Sequence, residues 1–280
     1  MIDYHVHTSL CNHAEGVMEA YIQKAVDIGL KEICFLDHLI LSEPANRLSM
    51  TPGEVPFYFQ AIQFFKHKYR SIINVKAGLE VDFNPEYTDL ISDIVGMYSF
   101  DVIGISLHFL DGMNIVSHGS QWSHGENDTD FIYSLYLEQF DKMLDYNYYD
   151  IICHFDLLKK FGRRSLKTFD KEINEILSKI KKKNLSLELN TSGYNHPVNE
   201  AYPSIEIIEK CFEKGILFTL GSDAHKPESV GQHYEKALSL LISAGYSHIA
   251  AFEKRCLSMI PITSHYLKAK RVQDRAASFP

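Results

Sequence analysis

The chain has 280 residues, 45% hydrophobic and 23% charged, the balance of a globular protein long enough to bury a large core. Its 28 Lys+Arg against 36 Asp+Glu leave a net charge of -8, which disfavours a nucleic-acid partner, since neutralising phosphates needs a basic face. With neither an apolar run of about 18 residues nor a charged-then-apolar leader, a membrane span and a signal peptide are not expected, and a cytoplasmic protein is.

In chain order, short β-branched runs read as strands at IDYHVH (2–7), EICFLD (32–37), INVKAGLEV (73–81), DVIGISLHF (101–109), DIICHF (150–155), LSLELN (185–190) and ILFTLGS (216–222), with a weaker candidate at HIAAF (248–252). Apolar spacing of three and four between them predicts helices over 17–30, 88–98, 130–146, 169–183, 204–215 and 235–246. Gly29, Gly215 and Gly245 stand where helices should end. Repeated strand–helix alternation means parallel strands with crossover helices. A doubly wound sheet and a closed barrel both satisfy that pattern. Nearly every strand here ends in a potential ligand or acid, which suits a barrel whose strand ends meet at one mouth, so the expectation is a single-domain α/β barrel. Residues 41–60 and 110–128 read as loops at that mouth. The barrel is expected to occupy 1–261, and 262–280 to form a C-terminal extension.

Five scattered cysteines without a CxxC pair read as buried thiols in a reducing compartment. No GxGxxG or P-loop opens a helix, which removes the common nucleotide-binding readings.

The composition is unusual in its 14 histidines. His5 and His7, two apart in a strand, face the same way, and paired imidazoles in an interior call for something that binds their lone pairs. His13 follows in the next turn. Asp37 and His38 end the second strand, Glu80 lies near the end of the third, His108 ends the fourth and His154 the fifth, with Asp156 beyond it. Glu188 and Asn190 share a face of the sixth, and the seventh runs into Asp223 and His225. Seven histidines and two acids, His5, His7, His13, His38, His108, His154, His225, Glu80 and Asp223, are too many ligands for one ion and suit two or three. Imidazole and carboxylate without thiolate fit zinc, iron or manganese alike. His118 and His124 fall in a polar loop, while His67, His233, His248 and His265 are expected to face solvent. Trp122 is expected in the core.

The series HVH…H, DH, GLE, SLH, CH and SDAH resembles the PHP family, named for polymerase and histidinol phosphatase, over residues 1–255. Within it the ELNTSG strand end and the late AFEKR segment are most similar to histidinol-phosphate phosphatases. That resemblance implies a distorted (β/α)7 TIM-like barrel with three divalent metal ions and hydrolysis of a small phosphorylated substrate, L-histidinol phosphate. Carried over by position, it implies His5, His7, Glu80 and Asp223 on one ion. Glu80 bridges to a second ion held by His108 and His154, and His13, His38 and His225 take a third. It further implies arginines on the phosphate, for which Arg163 is preferred and Arg164 is the alternative. Asp223, His225 and Arg163 are thus the expected catalytic residues, and Arg163, Arg164 and His196 the expected substrate contacts. Tyr194-Asn195-His196 follows NTSG where relatives carry an arginine. Asp37 or Asp156 is expected to orient ligand imidazoles. Three alternatives stay open: a nuclease or phosphodiesterase on the same scaffold, a metal-dependent amidohydrolase, and a non-catalytic metal-responsive module. The amidohydrolase reading lacks its strand-end lysine, since Lys76 precedes Glu80 inside a strand.

Overall fold

A computed structural model describes residues 1–43 and 45–262. The expected extension beyond Ile262, and His265 with it, lies outside the described residues.

Seven parallel strands form the centre: β1 (Ile2–Val6), β2 (Glu32–Leu39), β3 (Asn74–Asp82), β4 (Val102–Ser106), β5 (Ile151–Ile152), β6 (Ser186–Asn190) and β7 (Phe218–Gly221). Each pairs with the next in sequence, as in Ile33 opposite Val75 and Leu187 opposite Phe218. The sheet then returns on itself. Val6 bridges to Ala224 just beyond β7, and the His7 amide donates to the Ala224 carbonyl at 3.0 Å. The result is a nearly closed seven-stranded barrel. β1, β4, β5, β6 and β7 are buried along their whole length, and β2 and β3 at all but their first residues, the burial that strands covered on both faces require.

Crossover helices cover the outside: α1 (Met18–Asp27), α2 (Val55–Tyr69), α3 (Thr88–Met97), α4 (Thr129–Met143), α5 (Asp170–Lys182), α6 (Ile205–Lys214) and α7 (Tyr234–Ser243). Their inward stripes follow helical spacing, with Tyr21, Ile22 and Ala25 buried on α1 and Ile207, Ile208 and Cys211 on α6. A fully buried isoleucine such as Ile22 or Ile208 contributes roughly 1.5–3 kcal/mol. α6 ends at Gly215, whose φ of +65° lets its amide donate back to the Cys211 and Phe212 carbonyls.

Two expectations change, and the weakest strand candidate finds its place. Residues 41–60 are not all loop, because α2 begins at Val55. Its apolar residues occupy both faces: Val55, Tyr58 and Ile62 are buried, while Phe57 and Phe64 are exposed. That distribution blurs the 3.6-residue signal. The fourth strand stops at Ser106, and Phe109–Leu110 pairs instead with Met113–Asn114 in a two-residue antiparallel ladder. The weak candidate near 248 is a strand outside the barrel. As β8 (His248–Glu253) it pairs antiparallel with β9 (Cys256–Pro261).

All five cysteines are free, four of them buried and Cys256 exposed. Trp122 is fully buried. His67 and His248 are exposed, but His233 is half-buried, with its Nε2 2.9 Å from Asn195 Oδ1.

Candidate metal centre

Parallel strands present their C-terminal ends at one mouth. His5 lies in β1 and His7 just past it, with ring centroids 4.9 Å apart. His38 is on β2 and Glu80 on β3, while His108, His154 and Asp223 each follow a strand by two residues. His13 arrives from the turn after β1 and His225 from beyond Asp223. All nine residues converge.

Glu80 is the hub. Its Oε2 lies 2.7 Å from His38 Nδ1, 3.3 Å from His5 Nε2 and 3.7 Å from His7 Nε2. Its Oε1 lies 2.9 Å from His154 Nε2 and 3.6 Å from His108 Nε2. Asp223 Oδ1 is 3.1 Å from His7 Nε2 and 3.8 Å from His5 Nε2. His13 Nε2 and His225 Nε2 are 2.9 Å apart. Despite these short separations, His5 Nε2, His38 Nδ1 and Glu80 Oε2 are buried without a hydrogen-bond partner among the described residues. None of the three makes a hydrogen bond of good geometry, so the space among them is left to another partner. A protein seldom leaves such atoms unsatisfied, because each costs about 1–3 kcal/mol. Cations in that space would satisfy them together. The ligand atoms of His5, His7 and Asp223 lie within 4.8 Å of one another, as do those of His5, Glu80 and His154 and those of His7, His38 and His225. The donor set and its spacing fit divalent metal.

Outward-facing atoms fix the rings. His5 Nδ1 meets Glu188 Oε1 at 2.6 Å and His7 Nδ1 meets Asp37 Oδ1 at 3.3 Å, while Asp82 Oδ1 accepts the His108 amide at 2.9 Å. His13 Nδ1 lies 2.7 Å from the Cys11 carbonyl oxygen. Holding one nitrogen in this way turns the other toward the cavity. Gly221 makes room for the first pair, since a Cβ there would land on Glu188 Oε1 and lie 2.7 Å from His5 Cβ. His154 at φ +27° and Asp223 at φ +55° hold left-handed backbone conformations at a cost of order 1–3 kcal/mol each.

The charges interlock. Burial opposes ionisation of Glu80, yet the imidazoles of His38, His5 and His108 hold its pKa well below the usual carboxylate range. Burial likewise opposes charge on His5, but Glu188, Glu80 and Asp223 raise its pKa well above that of free imidazole. Burial and the neighbouring His7 keep His225 well below it, and burial lowers His38 to about 4.

The cavity measures about 300 Å³. His196 and Lys160 line it along with His13, His38, His108, His154, Glu80, Asp223 and His225. Arg163 and Arg164 do not. The Arg163 guanidinium donates to the Trp122 and Asn127 carbonyls at 3.3 and 3.0 Å and to Thr129 Oγ1 at 2.8 Å, and it stacks over the Trp122 ring. Arg164 pairs with Glu200 on the surface. The cation that reaches the cavity sits three residues earlier, on the 3-10 turn Leu157–Phe161. Lys160 was missed because it is one of four basic residues in KKFGRR, and sequence spacing does not say which of them turns inward. Asp156 pairs with Lys159 at 2.8 Å, so of the two acids offered for orienting imidazoles only Asp37 does so. Asp82, two residues past Glu80 and on its face of β3, was also overlooked; the strand period was the available signal. Lys76 pairs with Glu253, away from the cavity.

Comparison with known proteins places these features in a lineage. The PHP domain family matches residues 3–192. A Deinococcus radiodurans protein named probable histidinol-phosphatase is 32% identical over 250 residues, covering 88% of this chain and 94% of that protein. The Lactococcus lactis histidinol-phosphatase is 26% identical, covering 90% of this chain and 94% of its own length. A crystal structure of the Lactococcus lactis histidinol phosphate phosphatase with zinc, L-histidinol and phosphate matches with a TM-score of 0.80 at 23% identity, covering 92% of this chain and 98% of that one.

Proposed function

The chain belongs to the PHP family, and from that premise we propose that it is a metal-dependent phosphomonoesterase that splits L-histidinol phosphate with water into L-histidinol and phosphate. The observation that carries the reading is the cluster of imidazoles and carboxylates, several of their atoms buried and unpaired, gathered at one cavity that Lys160 also lines. The relatives' names supply the substrate.

Three ions would be held by these ligands: one by His5, His7, Glu80 and Asp223, one by Glu80, His108 and His154, and one by His13, His38 and His225. Support comes from the central place of Glu80, whose two oxygens face different histidines. Zinc, iron and manganese all suit these donors. Divalent cations bound there lower the pKa of water toward about 7 and offset charge developing on a phosphoryl group, the remedy a very slow hydrolysis needs.

The chain's own groups do the rest. Glu188 and Asp37 hold two of the imidazoles in register and Asp82 holds the backbone of His108, so little reorganisation is needed when substrate arrives. Lys160 Nζ, anchored on the Val116 carbonyl at 3.0 Å, gives the phosphate a cationic contact. His196 has its pKa lowered to about 4 by burial and by Lys160, so at neutral pH it meets the substrate as an uncharged hydrogen-bonding ring. Lys160 takes the place first assigned to Arg163 and Arg164, while His196 keeps the substrate contact expected of it.

A phosphate-release assay across small phosphomonoesters tests the proposal. Chelated protein should be inactive and regain turnover with zinc, manganese or iron, with L-histidinol phosphate preferred. Full activity after verified metal removal, or indifference to that substrate once metal is restored, overturns it.

A further inference from the structure

Arg163 is too heavily committed to be a bystander. Its guanidinium makes three hydrogen bonds to the segment 122–129 and lies 4.6 Å from the Trp122 ring centroid. Trp122 in turn is fully buried, and its indole N–H donates to the Leu158 carbonyl at 3.1 Å. Leu158 belongs to the same 3-10 turn as Lys160. From the other side, the Lys160 ammonium donates to the Val116 carbonyl, a few residues before Trp122 in the same loop. Tyr133 closes the set by donating its hydroxyl to the Arg163 carbonyl at 2.8 Å. Loop and turn are therefore cross-linked twice, once through Arg163 and Trp122 and once through Lys160 itself.

We propose that Arg163 is a positioning residue: its clamp on Trp122, Asn127 and Thr129 holds the loop 115–128 against the turn 157–161 and so fixes the Lys160 ammonium over the phosphate-binding part of the cavity. The inference rests on the reading of Lys160 as the phosphate contact. Lysine is a flexible four-carbon stem with a compact charge, and it needs such outside support more than a planar, bidentate arginine does. The loop supplies that support only while its own backbone carbonyls stay fixed. Gly125 leaves space for the guanidinium, since a Cβ there would stand 2.6 Å from Arg163 Nη1.

The test is a double-mutant cycle in the metal-loaded enzyme, read by inhibition with inorganic phosphate and by KM for L-histidinol phosphate. Lys160→Ala should weaken both by roughly tenfold or more, and Arg163→Ala by about fivefold, with bound metal unchanged. In the Lys160→Ala background the Arg163→Ala step should have no further effect on phosphate inhibition. Arg163→Lys, which keeps a cation over Trp122, should recover part of the loss. An Arg163→Ala effect of equal size with and without Lys160 overturns the proposal, as does unaltered phosphate inhibition in Arg163→Ala. A silent Lys160→Ala overturns the phosphate role of Lys160 and the positioning role together. Should Arg163→Ala fold poorly, Thr129→Val removes one acceptor and should move phosphate inhibition in the same direction, and a null result there counts against the clamp.

Discussion

Glu80 touches more of the centre than any other side chain described above, and its replacement has the sharpest expected outcome. Glu80→Gln keeps the shape but removes the charge facing His5, His38, His108 and His154. Turnover should fall by at least about a thousandfold, a transition-state loss of about 4 kcal/mol, while circular dichroism stays native. Elemental analysis should show the loss of bound metal that explains it. His5→Ala should likewise abolish turnover with the fold largely kept. His196 yields a prediction in pH. Its pKa in the folded protein, about 4, lies below the unfolded value of about 6.5, so the unfolded chain binds the extra proton between those limits. Its contribution is therefore neutral above pH 6.5, and stability is lost as the pH falls from 6.5 toward 4. His196→Gln should show a smaller drop in melting temperature between pH 7 and 4.5 than the parent protein, and an equal or larger drop contradicts the assignment.

Elements differ in how plainly they announce themselves. α1, α5 and α6 carry one apolar stripe each and are legible from spacing alone. α2 is not, because exposed Phe57 and Phe64 lie opposite buried Tyr58 and Ile62. Tyr58 earns its burial with a polar tip: its hydroxyl donates to the Gly78 carbonyl at 2.8 Å and accepts the Asp37 amide at 3.2 Å. The end of α6 offers a direct test of turn chemistry. Gly215→Ala puts a Cβ on a residue at φ +65°, and it should destabilise the protein by about 1 kcal/mol in urea unfolding with activity retained.

The whole molecule joins stability to metal. Closure between β1 and β7 brings His5 and His7 to Asp223, residues over 200 positions apart, and leaves His5 Nε2 buried without a partner, which a bound cation would supply. Ligands that bind only the folded state stabilise it by RT ln(1 + [L]/Kd), about 4 kcal/mol at a thousandfold excess over Kd. Chelation should therefore lower the melting temperature by several degrees, and readdition of zinc or manganese should restore it. An unchanged melting curve would show that the site is not coupled to the fold. Among the described residues no helix is long and apolar enough to cross a membrane.

From the order of residues alone came the alternation of strands and helices, the barrel, and the placing of imidazoles and acids at successive strand ends. Those are properties of short segments, in which side-chain period and local propensity leave few choices. Tertiary structure decided which side chains face one another. It turned Lys160 inward and Arg163 onto Trp122, set Asp82 and Glu188 behind their histidines, and paired Asp156 with Lys159. Neighbouring basic residues on a tight turn differ in direction by rotations that no one-dimensional pattern encodes, and only packing against a distant loop selects among them.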